Sequence, residues 1–340
     1  MPNRPFTVSI ACSFAVALLL CTTTVTAQTS NCTAGSSAPT KAVCSAAESL
    51  LATLSATQRN GVQFAFNRTT ASSKWSNLPC GAACRNGLQF STLSPTQLEA
   101  ALDVAKAALS SAGYGTFDGI RIADDFLGSL GQSAVYNSGI YFIAFIGTPS
   151  STGEWILQLG GHHYALNFYY HGSVESPTPY FTGINPHTFT LNGQSYAPLK
   201  PKTDAMVEMI AGLDATQRAA AKLTGTFGDV LLGPGADNFF PTPSGLKVST
   251  LSATQQALVV DAMEAWVNDT PKRRCFRFSR RLHEQQRARE HLYRLGWNQR
   301  QPRDARLVHP HRRAPCVDGD RRAGSRRDPR PGSLSRDLAR

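Results

Sequence analysis

The chain has 340 residues, room for one large domain or two ordinary ones, and a formal net charge of +11. That charge would suggest an acidic partner, but residues 272–340 hold 21 Lys+Arg against 7 Asp+Glu, whereas residues 1–271 hold 13 against 16. The basic character belongs to the tail alone, so the main body offers no electrostatic footprint for nucleic acid.

The N-terminus has the three parts of a secretory signal. Arg4 supplies a short basic region, Val8 to Leu20 is almost wholly apolar, and Val25-Thr26-Ala27 is a small-residue cleavage site. We expect residues 1–27 to be removed and the protein to be secreted or periplasmic. The apolar run is short for a membrane span and no later run reaches about 18 residues, so no membrane contact is expected after cleavage. Cysteine usage agrees with export. Cys32, Cys44, Cys80 and Cys84 form an even set ahead of the tail, with Cys32–Cys44 and Cys80–Cys84 as the simplest disulfides. Zinc would need a second closely spaced pair beside Cys80-x3-Cys84, and none is convincing. Residues 28–47 are read as a disulfide-containing segment ahead of the main domain.

Four segments repeat one helix-start pattern: Leu54-Ser55-Ala56-Thr57-Gln58, Leu93-Ser94-Pro95-Thr96-Gln97, Leu213-Asp214-Ala215-Thr216-Gln217 and Leu251-Ser252-Ala253-Thr254-Gln255. In each, Ser or Asp caps the N3 amide and the N3 Gln reaches back to the cap. Leu98, Ala101, Leu102, Ala105 and Leu109 follow at helical spacing, with Gly113 expected as a stop, and Leu258, Ala262, Ala265 and Trp266 do the same after the last box. The copies pair up along the chain, as an ancient duplication would leave them, giving helix-pair halves at about 50–112 and 210–268.

The centre reads as β-structure. Ser138 to Gly147 has the length and composition of a buried strand, and Trp155 to Leu159 follows across a Pro149–Gly153 turn as its hairpin partner. His163 to Tyr170 continues as a third strand. Strands grouped between helical halves predict an α+β fold, with a central, mainly antiparallel sheet flanked by capped helix pairs.

Chemistry is most concentrated in Gly160-Gly161-His162-His163-Tyr164-Ala165-Leu166-Asn167. Imidazole is a common metal ligand and a base near neutral pH. Within a regular strand His162 and His163 point to opposite faces, so a shared pocket requires the glycines to break the strand by a bulge or close approach. His162 and His163 are the candidate ligands for a divalent transition metal, and Asn167, Arg85 and Trp155 the candidate contacts for a small-molecule ligand. His171 lies too far along the strand to join the same ion, and His187 sits on a loop. No nucleophile elbow, P-loop, dinucleotide fingerprint or His-Glu-x-x-His motif is present.

Trp75-Ser-Asn-Leu-Pro79, Arg85-Asn-Gly-Leu88, Ala112-Gly-Tyr114, Trp155 to Asn167 and Thr178-Pro-Tyr-Phe-Thr-Gly183 together resemble the domain-of-unknown-function family 3500, over residues 48–271. The resemblance implies export and a shared core, and brings no activity with it. It also marks a departure. The family pattern continues with Thr-Tyr-Ile-x-Trp-Ala-Gly, then Arg-Ile-Asp-Gly-Pro-Arg-Val-Trp and His-Tyr-His, none of which follows Pro271. Read one base later, codons for His291 to Gln299, Asp304 to Asp320 and Ser333 to Arg336 can encode all three in order. Residues 272–340 are therefore expected to be out of frame and disordered, and the last strands of the sheet to be missing. The leading functional reading is a metal- or small-ligand-binding site around the His pair, hydrolytic or redox in the intact family. The alternative is a non-enzymatic extracellular binding or structural module with the His pair buried.

Overall fold

The computed structural model describes residues 30–32, 38–226 and 241–271. The chain divides into two units at residues 291 and 292, and every described residue belongs to the first. The expected signal peptide and the Arg-rich tail lie outside the described residues. In chain order the elements are α1 (Ala38–Thr53), α2 (Ala56–Val62), β1 (Gln63–Phe64), α3 (Arg68–Ser73), β2 (Leu88–Gln89), α4 (Pro95–Ala108) and α5 (Ser111–Leu127). Then follow β3 (Phe142–Gly147), β4 (Glu154–Gly161), β5 (Tyr164–His171), β6 (Val174–Ser176), β7 (Tyr180–Thr182), β8 (Phe189–Leu191) and β9 (Gln194–Tyr196). Helices α6 (Lys200–Ala211), α7 (Ala215–Ala221) and α8 (Ala253–Val267) close the described part.

The fold is α+β, as expected. Seven strands form one sheet in the order β1-β3-β4-β5-β6, with β2 also on β3 and β7 also on β5, while β8 and β9 form a separate hairpin. Every pairing is antiparallel except β1 with β3. Strands β3, β4 and β5 make the meander at its heart, and alternation assigns each residue to a face. Tyr141, Ile143, Phe145, Trp155, Leu157, Leu159, Tyr164, Leu166, Phe168 and Tyr170 pack into the core with Val43, Ala47, Leu50, Ala101, Val104, Ala105 and Phe117 from α1, α4 and α5. The opposite face carries Phe142, Ala144, Gln158, Gly160, Ala165 and Asn167, also buried or nearly so.

All four capping boxes form, with the Ser or Asp side chain accepting from the N3 amide and the N3 Gln returning to the cap. Both disulfides pair as expected, Cys32 with Cys44 and Cys80 with Cys84. Two expectations are corrected. The boundary drawn at residue 48 falls inside α1, because Val43, Cys44 and Ala47 are buried in the same core as Leu50. Gly113 does not stop a helix: α4 has already ended, and Gly113 lies in the first turn of α5, where Ser110 caps it. A glycine is required there because a Cβ would stand 2.0 Å from the Asp269 carbonyl oxygen. The second helix pair, α6 and α8, adds no residue to this core cluster.

That second pair is anchored instead by one buried ion pair. Lys202 of α6 donates to Asp269 Oδ1 at 2.7 Å, and Tyr180 of β7 donates to Asp269 Oδ2 at 2.7 Å. Lys202 and Asp269 are 4% and 1% exposed, so removing either partner leaves an uncompensated buried charge. Lys202→Ala should lower unfolding free energy by about 3–5 kcal/mol in denaturant titrations, whereas the double replacement Lys202→Met with Asp269→Leu should cost less. Equal loss in the single and double variants would contradict this account.

Candidate functional site

The two histidines are not within a strand. Gly160 and Gly161 continue the regular pairing of β4, facing Ala165 and Tyr164, and His162-His163 is the two-residue turn that joins β4 to β5. His163 takes φ 60°, a left-handed conformation that histidine tolerates better than branched residues do. The expected break at the glycines is thus absent. Their second expected use, close approach, is what the structure shows at Gly161. A Cβ there would lie 2.3 Å from the Tyr141 ring.

Tyr141 fills that space and its hydroxyl reaches two partners, Asp124 Oδ2 and the His162 carbonyl oxygen, each at 3.0 Å. The other oxygen of Asp124 lies 2.7 Å from His162 Nδ1. Burial, and then the Asp124 charge, push the Tyr141 phenol well above its ordinary pKa, so it remains a donor. Asp124 accepts from both neighbours. Opposite that carboxylate a neutral His162 imidazole carries its proton on Nδ1 and leaves Nε2 as the acceptor. The His162 ring lies against Tyr136 and His163, with centroids 4.8 and 3.8 Å away.

His163 is half-buried, and its backbone joins two further loops, donating to the Asn77 carbonyl and accepting from the Gly183 amide, both at 2.8 Å. Burial, then the neighbouring His162, lower its pKa to about 4, so it is neutral at physiological pH. Arg85 lies directly behind the turn. It is 5% exposed and donates through Nη2 to the carbonyls of Gly161, at 2.7 Å, and Leu78, and through Nη1 to Gly81. Burial lowers its pKa to about 10, which leaves it a cation held by neutral carbonyls.

Arg85 also lines a shallow indentation on the outer face of the sheet, with Lys74, Trp75, Asn86, Gln158 and Gly160. Asn167 stands beside it: Gln158, its cross-strand partner, donates to Asn167 Oδ1 at 2.7 Å and accepts from Asn86 Nδ2 at 2.9 Å. Arg85, Asn167 and the His turn are therefore brought to one region of the sheet. Trp155 is not. It is fully buried on the helix-facing side, stacked on Tyr170, with its indole donating to the Ser150 carbonyl. The two histidines gather no third ligand atom among the described residues. The grouping of three such atoms within 4.8 Å is Cys32, Cys44 and Glu48, whose cysteines are joined in a disulfide. His171 lies 3.8 Å from Glu154, and His187 contacts Thr203, both away from the turn.

The sequence reading missed Asp124, Tyr141 and the whole of α5. A signal for Asp124 was present: Phe117, Ile120 and Asp124 share one helical stripe, so the acid falls at a core position. A carboxylate on an apolar stripe requires a buried partner.

Two outcomes follow. Gly161→Ala must displace the Tyr141 ring and should cost about 1–3 kcal/mol in denaturant unfolding; a loss below the range expected of a surface substitution would contradict the close packing. For His163, the folded pKa of about 4 lies below the unfolded value of 6.5, so the unfolded state binds more protons between them. The stability this group contributes is complete above pH 6.5 and is lost as pH falls to about 4. His163→Asn, which tolerates the left-handed turn, should flatten the pH dependence of stability in that window; an unchanged slope would refute the assignment.

No functionally curated protein and no solved structure matches the chain significantly. A family model described as a protein of unknown function, DUF3500, matches residues 36–304, taking in the helix-facing core, the His turn and the Arg85 indentation. The chain belongs to the DUF3500 family.

Proposed function

We propose that this is an exported small-ligand-binding protein whose reactive group is Nε2 of His162. The observation that carries the reading is the 2.7 Å contact of Asp124 with His162 Nδ1, backed by Tyr141. A carboxylate that fixes one imidazole nitrogen presents the other as a hydrogen-bond acceptor, base or metal ligand. The position supports the same reading, because the turn meets the loops holding Asn77, Tyr136 and Gly183, and binding groups concentrate on loops carried by a rigid sheet. Two disulfides suit an oxidising compartment, and no described helix is long and apolar enough to cross a membrane.

A second reading, a non-enzymatic module with a structural His, is favoured by one observation. The chain Tyr141–Asp124–His162 also ties α5 to the β4–β5 turn. NMR screening with a fragment library and with Zn²⁺ separates the two. The ligand reading predicts probes that shift the His162 ring signals in the wild type and lose affinity at least about tenfold, or about 1.4 kcal/mol, in His162→Gln. If no probe reaches His162, and His162→Gln and Asp124→Asn alter only the melting temperature, the structural module stands.

A further inference from the structure

Arg85 is a buried cation that lacks an anion. It is 5% exposed, and its guanidinium donates to the carbonyls of Gly161, Leu78 and Gly81, none of them charged. Among the described residues no carboxylate lies within ion-pair distance of it, although buried charges are ordinarily paired. Its Nη1 also reaches a sulfur, Cys84 Sγ at 3.7 Å, one half of the Cys80–Cys84 disulfide. That bridge closes a single 3-10 turn, Gly81–Cys84, with Ala82 and Ala83 exposed at its tip and both cysteines partly exposed.

The other bridge is built differently. Cys32 and Cys44 are 4% and 0% exposed within the hydrophobic core, and a carboxylate, that of Glu48, stands within 4.8 Å of their sulfurs. The two sulfurs of the exposed bridge differ from each other as well. Cys84 Sγ faces the Arg85 cation, whereas Cys80 Sγ lies 3.4 Å from the Leu78 carbonyl oxygen and 3.7 Å from Ser76 Oγ. A guanidinium favours a thiolate, and a carbonyl favours the protonated thiol that can donate to it. Reduction therefore leaves Cys84 as the anion that pairs with Arg85, and Cys80 as a neutral thiol. Because Gly161 and Leu78 also hold Arg85, the cation is in place before the bond breaks. A disulfide whose reduced form is stabilised in this way is an oxidant.

We propose that Cys80–Cys84 is a redox-active disulfide that takes two electrons from a dithiol, with Arg85 stabilising the departing Cys84 thiolate. The first thiol of the dithiol loses its proton to solvent and attacks Cys80 Sγ. The Cys80–Cys84 bond breaks, and its electron pair leaves on Cys84 Sγ, which stays a thiolate beside Arg85. The second thiol, deprotonated in turn, displaces Cys80 from the mixed disulfide. Cys80 takes a proton from solvent, and the dithiol departs as a disulfide. This exchange is independent of the His162 site.

The test uses the full oxidised chain, with its free thiols already alkylated, in buffers of reduced and oxidised dithiothreitol. Peptide mass spectrometry then reads each bridge separately. Cys80–Cys84 should open at a reduced-to-oxidised ratio at least about tenfold below that which opens Cys32–Cys44, a gap of about 30 mV. Arg85→Gln should raise that ratio at least about tenfold, and Arg85→Lys should restore most of the difference, with a closed Cys32–Cys44 bridge reporting that each variant is folded. Cys80→Ser frees Cys84 and leaves Arg85 intact, so it decides the matter even where Arg85→Gln does not fold. Alkylation of Cys84 in that variant should reach half its full rate at a pH below the ordinary thiol value of about 8.5. Both bridges opening together, an unchanged ratio in a folded Arg85→Gln chain, or a Cys84 midpoint at or above the ordinary value would each overturn the proposal.

Discussion

The absence of a side chain at Gly161 governs this structure. Gly160 and Gly161 end β4 in unbroken pairing, and both faces of the sheet close on them, Tyr141 against Gly161 and Arg85 against Gly160. At Gly161 the packing leaves a single methyl no room, whereas one at Gly160 would meet Arg85 at ordinary contact distance, so Gly161 acts through volume rather than backbone freedom. Because Tyr141 can reach across Gly161, its hydroxyl meets both Asp124 and the His162 carbonyl. Arg85 bonds the Gly161 carbonyl from the other side. The position of the turn, the orientation of the His162 ring and the seating of α5 all follow from that close approach.

The environment of the turn gives its two histidines different tasks. His162 faces a carboxylate that fixes its tautomer, while His163 spends its backbone on Asn77 and Gly183 and keeps a neutral ring through burial. Two identical side chains, adjacent in sequence, are thus one oriented and one structural. The sheet separates the rest of the polar chemistry in the same way. Asn167, Gln158 and Asn86 share the outer face with the indentation, whereas Trp155 belongs to the aromatic stack on the inner face.

Local rules made much of this legible. The Ser-x-x-Gln and Asp-x-x-Gln boxes fixed four helix starts because their hydrogen bonds close within four residues. The meander was readable from strand length, composition and the Pro149–Gly153 turn, and the disulfides from an even set of cysteines at short spacings. The site was only half legible, since its partners are remote in sequence. Asp124 lies 38 residues from His162, and helix α5 went unread because Gly113, Gly115 and Gly119 weaken its propensity, while Gly113 and Gly119 serve close contacts at Asp269 and Pro198. Placing His162 and His163 in a strand followed from the alternation around them, which continues up to Gly161 and resumes at Tyr164. A two-residue turn interrupts that pattern too briefly for periodicity to register.

The central claim is that Asp124 holds His162 as a single tautomer with Nε2 available. Long-range proton–nitrogen NMR correlation on the ¹⁵N-labelled protein at neutral pH reads this directly. The account predicts a protonated Nδ1 and an unprotonated Nε2 for His162, with both signals averaging toward a tautomer mixture in Asp124→Asn. A proton found on Nε2 in the wild type, or a His162 ring indifferent to Asp124→Asn, would contradict it.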